Sequence, residues 1–71
     1  PDIGITRVLS SLSEREREVA FAVAEGLSNK SVAQRLGITE RTVKAHLSAV
    51  FDKFGVRDRM QLALRISQRG A

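Results

Sequence analysis

Arg41, Lys44, Ala45 and Ser48 fall on one side of a helix-length segment and put two cations, a methyl and a hydroxyl there, with nothing bulky among them. Such a face can lie close to something anionic. B-DNA's major groove, about 12 Å wide, admits one helix whose inward side chains are short and cationic, so the set fits a reader of base edges. The remaining chemistry-bearing residues offer no comparable constellation. His46 is the lone histidine and has no Cys, Asp or Glu at metal-ligand spacing, which argues against zinc and leaves it a polar flank near the nucleic-acid backbone. Glu16 lies toward the core side of its segment with no second carboxylate placed to work with it, and so reads as a cap and ion-pair partner rather than a catalytic acid. No metal, cofactor or enzymatic activity is expected.

The elements that must hold the cationic face are written in the apolar pattern behind it. Val43, Leu47, Val50 and Phe54 recur at i, i+4, i+7 and i+11, which at about 100° per residue is a single stripe that has to face a core. Upstream, Val32, Ala33 and Leu36 mark the inward side of a shorter helix, about Asn29 to Leu36, and only Gly37, Ile38 and Thr39 separate the two. Two helices joined by so short a corner read as a helix-turn-helix.

The whole chain has 71 residues, enough for one small domain that buries only about 60% of the surface its unfolded form exposes. With no cysteine it lacks a disulfide framework or thiolate metal site and suits a reducing compartment, the cytoplasm by default. No apolar run approaches the roughly 20 residues of a membrane span, and no leader segment is visible. The net charge of +4 and a pI near 10.7 favour a polyanionic partner. The charge is unevenly placed: Arg7, Arg15 and Arg17 are outnumbered by Asp2, Glu14, Glu16, Glu18 and Glu25, whereas the other nine cations, from residue 29 onward, face only Glu40, Asp52 and Asp58.

In chain order, residues 1–11 mix Pro, Gly and Ser with isolated apolar residues and read as a linker tail with at most one short turn, the ordered domain running from Leu12 to the end. Ser13 and Glu16 form a capping box that starts a first helix, about Glu14 to Glu25, with Val19 and Val23 buried, small Ala20 and Ala22 beside them, and Gly26 as the stop. Phe21 falls about 200° from Val19 and is expected on the surface, as a lone aromatic or as a contact with another domain. Ser28 caps the second helix, Gly37 closes it, Ile38 plugs the corner and Thr39 caps the third, about Glu40 to Phe54. Gly55 ends that helix, Val56 bridges, and Asp58 with Gln61 opens a fourth, about Arg59 to Gln68. The expected fold is all-α, four helices around a central helix-turn-helix at about residues 28–47. The fourth helix is apolar on two sides: Leu62 and Ile66 share one stripe, assigned to the core, and Met60, Leu64 and Ser67 share another, with Ala63 between.

LSEREREV, EGLSNKSVAQRLGITERTVKAHLSAVFDKFGV and RDRMQLAL, in this order and spacing, resemble the LuxR-type helix-turn-helix domain over about Leu12 to Arg69. Domains of this type usually end transcription factors, FixJ/NarL-type response regulators and quorum-sensing receptors among them, in which a separate N-terminal domain receives the signal. The resemblance implies sequence-specific binding of double-stranded DNA by a transcriptional regulator. Lys44, Ala45 and Ser48 would face bases, and their chemistry agrees, since Lys44 can donate to guanine O6 or N7, Ala45 can touch a thymine methyl, and Ser48 can donate or accept. Thr39, Arg41, Thr42 and His46 would border phosphates. Asn29 and Lys30 sit where free amides and the helix dipole attract phosphate oxygens, and Arg57 and Arg59 would either contact phosphate or pair with Asp58 or Glu16. The resemblance further implies a homodimer through the fourth helix, with Met60, Ala63, Leu64 and Ser67 at the contact, an inverted-repeat operator, and RNA polymerase and an N-terminal sensory domain as further partners. Two positions depart from the pattern: Ser31 stands where many members have Glu, and Ser48 replaces a longer polar or basic residue. Sigma factor region four shares the acidic opening and the T-V-K run, but the closing helix with Arg59, Gln61 and Ala63 favours the LuxR-type group. A rival from another class is a protein-interaction module whose basic face meets an acidic partner.

Overall fold

Side-chain oxygens start four of the helices, each by the same local device. In the computed structural model, which describes residues 3–68, the order is α1 (Ile3–Ser11), α2 (Glu14–Ala24), α3 (Asn29–Leu36), α4 (Glu40–Phe54) and α5 (Arg59–Ser67). Ser13, Ser28, Thr39 and Asp58 take extended backbone and accept from the amides of Glu16, Ser31, Thr42 and Gln61 at 3.1, 3.1, 3.1 and 2.9 Å. Each cap satisfies a donor that the first helical turn leaves without a partner. At Ser13 the box is complete, with the Ser13 amide donating to Glu16 Oε1 at 2.9 Å. α3 and α4 stop at Gly37 and Gly55, at φ 69° and 68°, followed by amide bonds from Ile38 to Ala33 O and from Val56 to Phe51 O at 3.0 and 3.1 Å. That is the left-handed ending that glycine adopts without a steric penalty.

The apolar faces converge on one core. Val19, Ala20, Ala22 and Val23 of α2, Val32 and Ala33 of α3, Val43, Leu47, Val50 and Phe54 of α4, and Leu62 and Ile66 of α5 are all buried. α2 packs on both α4 and α5, while α3 packs on α4. Alanines at 20, 22 and 33 let these helices approach closely, and no strand occurs among the described residues.

The fold is all-α, as expected, but four helices is one too few. Residues 3–11, read from sequence as irregular linker, form α1, with Ile5 fully buried and Val8 and Leu9 packed on the core. The i, i+3, i+4 spacing of these three residues is helical, but it spans little more than one turn and is flanked by Gly4, Ser10 and Ser11, so it carries little periodic signal. Side chains of α2 and α4 hold α1 and the residue after it in place. The Arg17 guanidinium donates to Leu9 O and Leu12 O, both at 3.3 Å, and Lys53 Nζ donates to Ser11 O at 3.2 Å. Pro1, Asp2 and the segment from Arg69 to Ala71 lie outside the described residues, and with them both ends of the linker and domain assignments.

Phe21 also departs from its expected place. It is half-buried rather than on the open surface, because α5 crosses that side of α2 and brings Ala63, Ile66 and Ser67 to line a small cleft with it. A stripe calculated on one helix cannot anticipate which neighbour covers the flank.

Glu16 is both cap and ion-pair partner. Its Oε1 accepts from Lys53 Nζ at 3.0 Å as well as from Ser13 N, so the first turn of α2 is tied to the last turn of α4. The bond from the Ser13 amide, then the Lys53 ammonium, hold its carboxyl below the usual glutamate pKa. A depressed pKa contributes stability that is present above the unfolded-state value and lost as pH falls through the folded one. Glu16→Gln keeps a capping side chain but removes the charge. It should lower the melting temperature modestly at neutral pH and leave the difference from the unsubstituted chain shrinking as the medium is acidified through the carboxylate range; a constant difference at all pH values would show that neither the Ser13 amide nor the Lys53 ammonium stabilises the charged carboxylate.

Candidate nucleic-acid interface

The division of α4 into two sides is sharp. Val43, Leu47 and Val50 are buried while Arg41, Lys44, Ala45 and Ser48 are exposed, with Thr42 and His46 half-buried at the margins. Arg41, Lys44, Ala45 and Ser48 therefore share one open face. Thr39 and Thr42 stand at its N-terminal end with their hydroxyls 2.9 Å apart, so the pair that caps α4 also presents polar oxygen to whatever approaches. His46 has no companions: no group of three or more His, Cys, Asp or Glu residues that could hold a metal is found among the described residues.

Beside this face runs an open cleft of about 370 Å³, lined by Asn29, Lys44, Leu47, Ser48, Phe51 and Arg59. It brings together the middle of α4 and the starts of α3 and α5. Helix starts carry unpaired amides and the positive end of the dipole, so a cleft at which two of them meet favours an anion. Asn29 and Lys30 thus fall where the sequence puts them, at the opening of α3, Lys30 exposed and Asn29 half-buried. Phe51 was not singled out from sequence. Its position seven residues after Lys44 and three after Ser48 is the signal that would have placed it on the cleft side of α4.

The two arginines that flank the start of α5 differ. Arg57 is exposed, and its backbone amide donates to Gln61 Oε1 at 2.9 Å. Arg59 is half-buried, and its guanidinium donates to Leu27 O and to Asn29 Oδ1. Neither pairs with Asp58, whose carboxylate caps α5, and the ammonium on Glu16 is that of Lys53.

Not every cation is therefore free to meet a partner. Arg15 bonds Leu36 O and lies near Glu18, Arg17 bonds two carbonyls, Arg35 pairs with Glu25 at 2.8 Å, and Lys53 and Arg59 are engaged as described. Lys30, Arg41, Lys44 and Arg57 have exposed side chains with no ion pair or side-chain hydrogen bond among the described residues, and all four belong to α3, α4 or the turn before α5. Arg7 on α1 is likewise exposed and unpaired, and the buried Nε of Arg65 has no partner, so four of the five exposed unpaired cations among the described residues lie on the helix-turn-helix side.

Comparison with known proteins bears on what this surface meets. Residues 10–66 match the family described as bacterial regulatory proteins, luxR family. The chain is 50% identical over 56 residues to the transcriptional regulatory protein LnrK of Bacillus subtilis (strain 168), which covers 79% of this chain and 26% of that protein. It is 46% identical over 63 residues to the nitrate/nitrite response regulator protein NarP of Escherichia coli (strain K12), covering 87% and 29%. A protein of Mycobacterium bovis (strain ATCC BAA-935 / AF2122/97), named among the HTH-type transcriptional regulators, is 46% identical over 61 residues that make up 86% of this chain and 7% of that protein. The chain thus spans less than a third of the length of each of these relatives.

Proposed function

This chain belongs to the luxR family of bacterial regulatory proteins, a helix-turn-helix regulator domain and not an enzyme, and on that premise we propose that it reads double-stranded DNA by sequence, with α4 in the major groove. The observation that carries the reading is the open face of α4, where Arg41, Lys44, Ala45 and Ser48 are exposed directly behind a buried apolar stripe. Lys44, Ala45 and Ser48 meet base edges. Asn29, Lys30, Thr39, Arg41, Thr42, His46 and Arg57 lie along the flanking phosphates, which fix register and orientation without carrying sequence information. No helix among the described residues is long and apolar enough to cross a membrane, in keeping with a regulator that meets DNA in the cytoplasm. RNA polymerase and a signal-receiving domain are the further partners of the longer protein in which such a domain works.

The base-reading assignment is tested by comparing a site selected from random DNA with a duplex of mixed sequence. Lys44→Ala should weaken the selected site by roughly 1 to 3 kcal/mol and barely change the mixed duplex. Lys30→Ala should weaken both alike and lower the salt slope by about 1, the signature of a lost phosphate contact. Equal losses on both duplexes for Lys44 would make it a phosphate contact instead.

We further propose that two copies assemble through α5. Leu62 and Ile66 are buried, while Met60 and Leu64 are 74% and 58% exposed, with Ser67 exposed beside them and Ala63 half-buried between the two sides. Small Ala63 and Ser67 allow two such helices to approach closely across a two-fold axis. That symmetry would place two recognition helices in successive major grooves about 10 base pairs apart and make the operator a rough inverted repeat. Leu64→Arg sets like charges against each other at the axis and leaves the buried stripe alone. The variant should keep its helical circular dichroism, bind a half-site normally and lose cooperativity on the full site; cooperativity that survives would remove α5 from the dimer contact.

A further inference from the structure

Arg59 is the first residue of α5, at the positive end of that helix's dipole, an unfavourable place for a cation unless something else holds it there. What holds it is the start of α3. One guanidinium nitrogen donates to the Leu27 carbonyl, immediately before the cap Ser28, and the other donates to Oδ1 of Asn29, the first residue of α3. The planar fork of arginine spans both acceptors at once, which the single ammonium of lysine cannot reproduce.

The bond to Asn29 also fixes the sense of its amide. A carboxamide has an acceptor on one side and two donors on the other. With Oδ1 turned to the guanidinium, the NH2 group is turned away from it, and Asn29 lines the cleft that Lys44 and Ser48 also line. We propose that Arg59 is a positioning residue for DNA binding: it orients the Asn29 amide so that its NH2 donates to a phosphate oxygen at the start of α3, and it contacts no phosphate itself. This rests on the DNA-binding reading above. It also links the helix that carries the exposed Met60 and Leu64 to the docking helix of the helix-turn-helix by one side chain.

The test measures binding of a labelled duplex of mixed sequence across a series of salt concentrations, because a phosphate contact is blind to sequence. Arg59→Ala and Arg59→Lys should each bind about tenfold more weakly at fixed salt, the loss expected for one hydrogen bond to a charged group, with the salt slope unchanged. Asn29→Ala should lose the same factor, and Arg59→Ala combined with Asn29→Ala should be no weaker than either alone, since both remove one interaction. A slope lowered by about 1 with near-normal binding by Arg59→Lys would mean that the cation meets phosphate directly and would overturn the proposal. So would full additivity in the double variant. Circular dichroism reports folding throughout; should both Arg59 variants unfold, Asn29→Ala decides alone, and unaltered binding by it overturns the proposal. Failure of the unsubstituted chain to bind any duplex is a different result, which removes the DNA-binding reading and the positioning role together.

Discussion

Everything in this domain depends on α4 being buried on one side and bare on the other. Burying a Val, Leu or Phe side chain is worth roughly 1.5 to 3 kcal/mol, and α4 contributes four such residues to a core shared by the five helices of the described residues. A domain of this size has total stability of only about 5 to 15 kcal/mol, so the stripe of Val43, Leu47, Val50 and Phe54 is a large fraction of what keeps the chain folded. The open face is therefore positioned by the residues behind it: Lys44 follows Val43, and Ser48 follows Leu47, at consecutive positions of one rigid helix. No loop intervenes between the core and the side chains proposed to read bases, and the geometry of the open face inherits the precision of the packing.

The supporting helices divide the remaining tasks. α3 buttresses α4 and presents its own start to the same cleft, α2 joins α4 to α5, and α1 closes over the far end of α4. The Lys53 ammonium sits at the junction of three elements, bonded to the end of α1 and to the Glu16 carboxylate that caps α2. Exposed ion pairs contribute little in general, and this one matters more for where it holds the C-terminal turn of α4 than for its energy. Several arginines are used in the same way, tying loops and helix ends by their carbonyls. A net charge of +4 thus describes the partner-facing surface less well than the four unpaired cations around the helix-turn-helix do.

What was legible in the sequence is what is decided locally. Caps at Ser13, Ser28, Thr39 and Asp58 and stops at Gly37 and Gly55 involve residues three to five apart, and the stripe of α4 repeats over fifteen residues, so each is readable without knowing any neighbour. The open face of α4 followed directly from the stripe. Contacts between distant segments were not legible. Ile5 reaches the core from a turn too short to register a period, Phe21 is half-covered by a helix some forty residues later, and Phe51 joins the cleft only because α3 and α5 start beside it. Arg59 is the clearest instance, since an arginine next to Asp58 in sequence invites a local pair, whereas the fold offers it two carbonyl oxygens across the gap to α3.

The glycines that end α3 and α4 have a consequence for how such a domain can diverge. A Cβ built on Gly37 or Gly55 meets nothing within 4 Å, yet both hold left-handed backbone. Replacement there is opposed by the torsional preference of the new residue alone, about 1 to 2 kcal/mol for most side chains and less for asparagine, and no collision adds to it. The two corners that bracket α4 are thus governed by backbone chirality and not by shape. Over time they should admit asparagine readily and β-branched residues hardly at all, while the length of the helix between them stays constant as the side chains on its open face change.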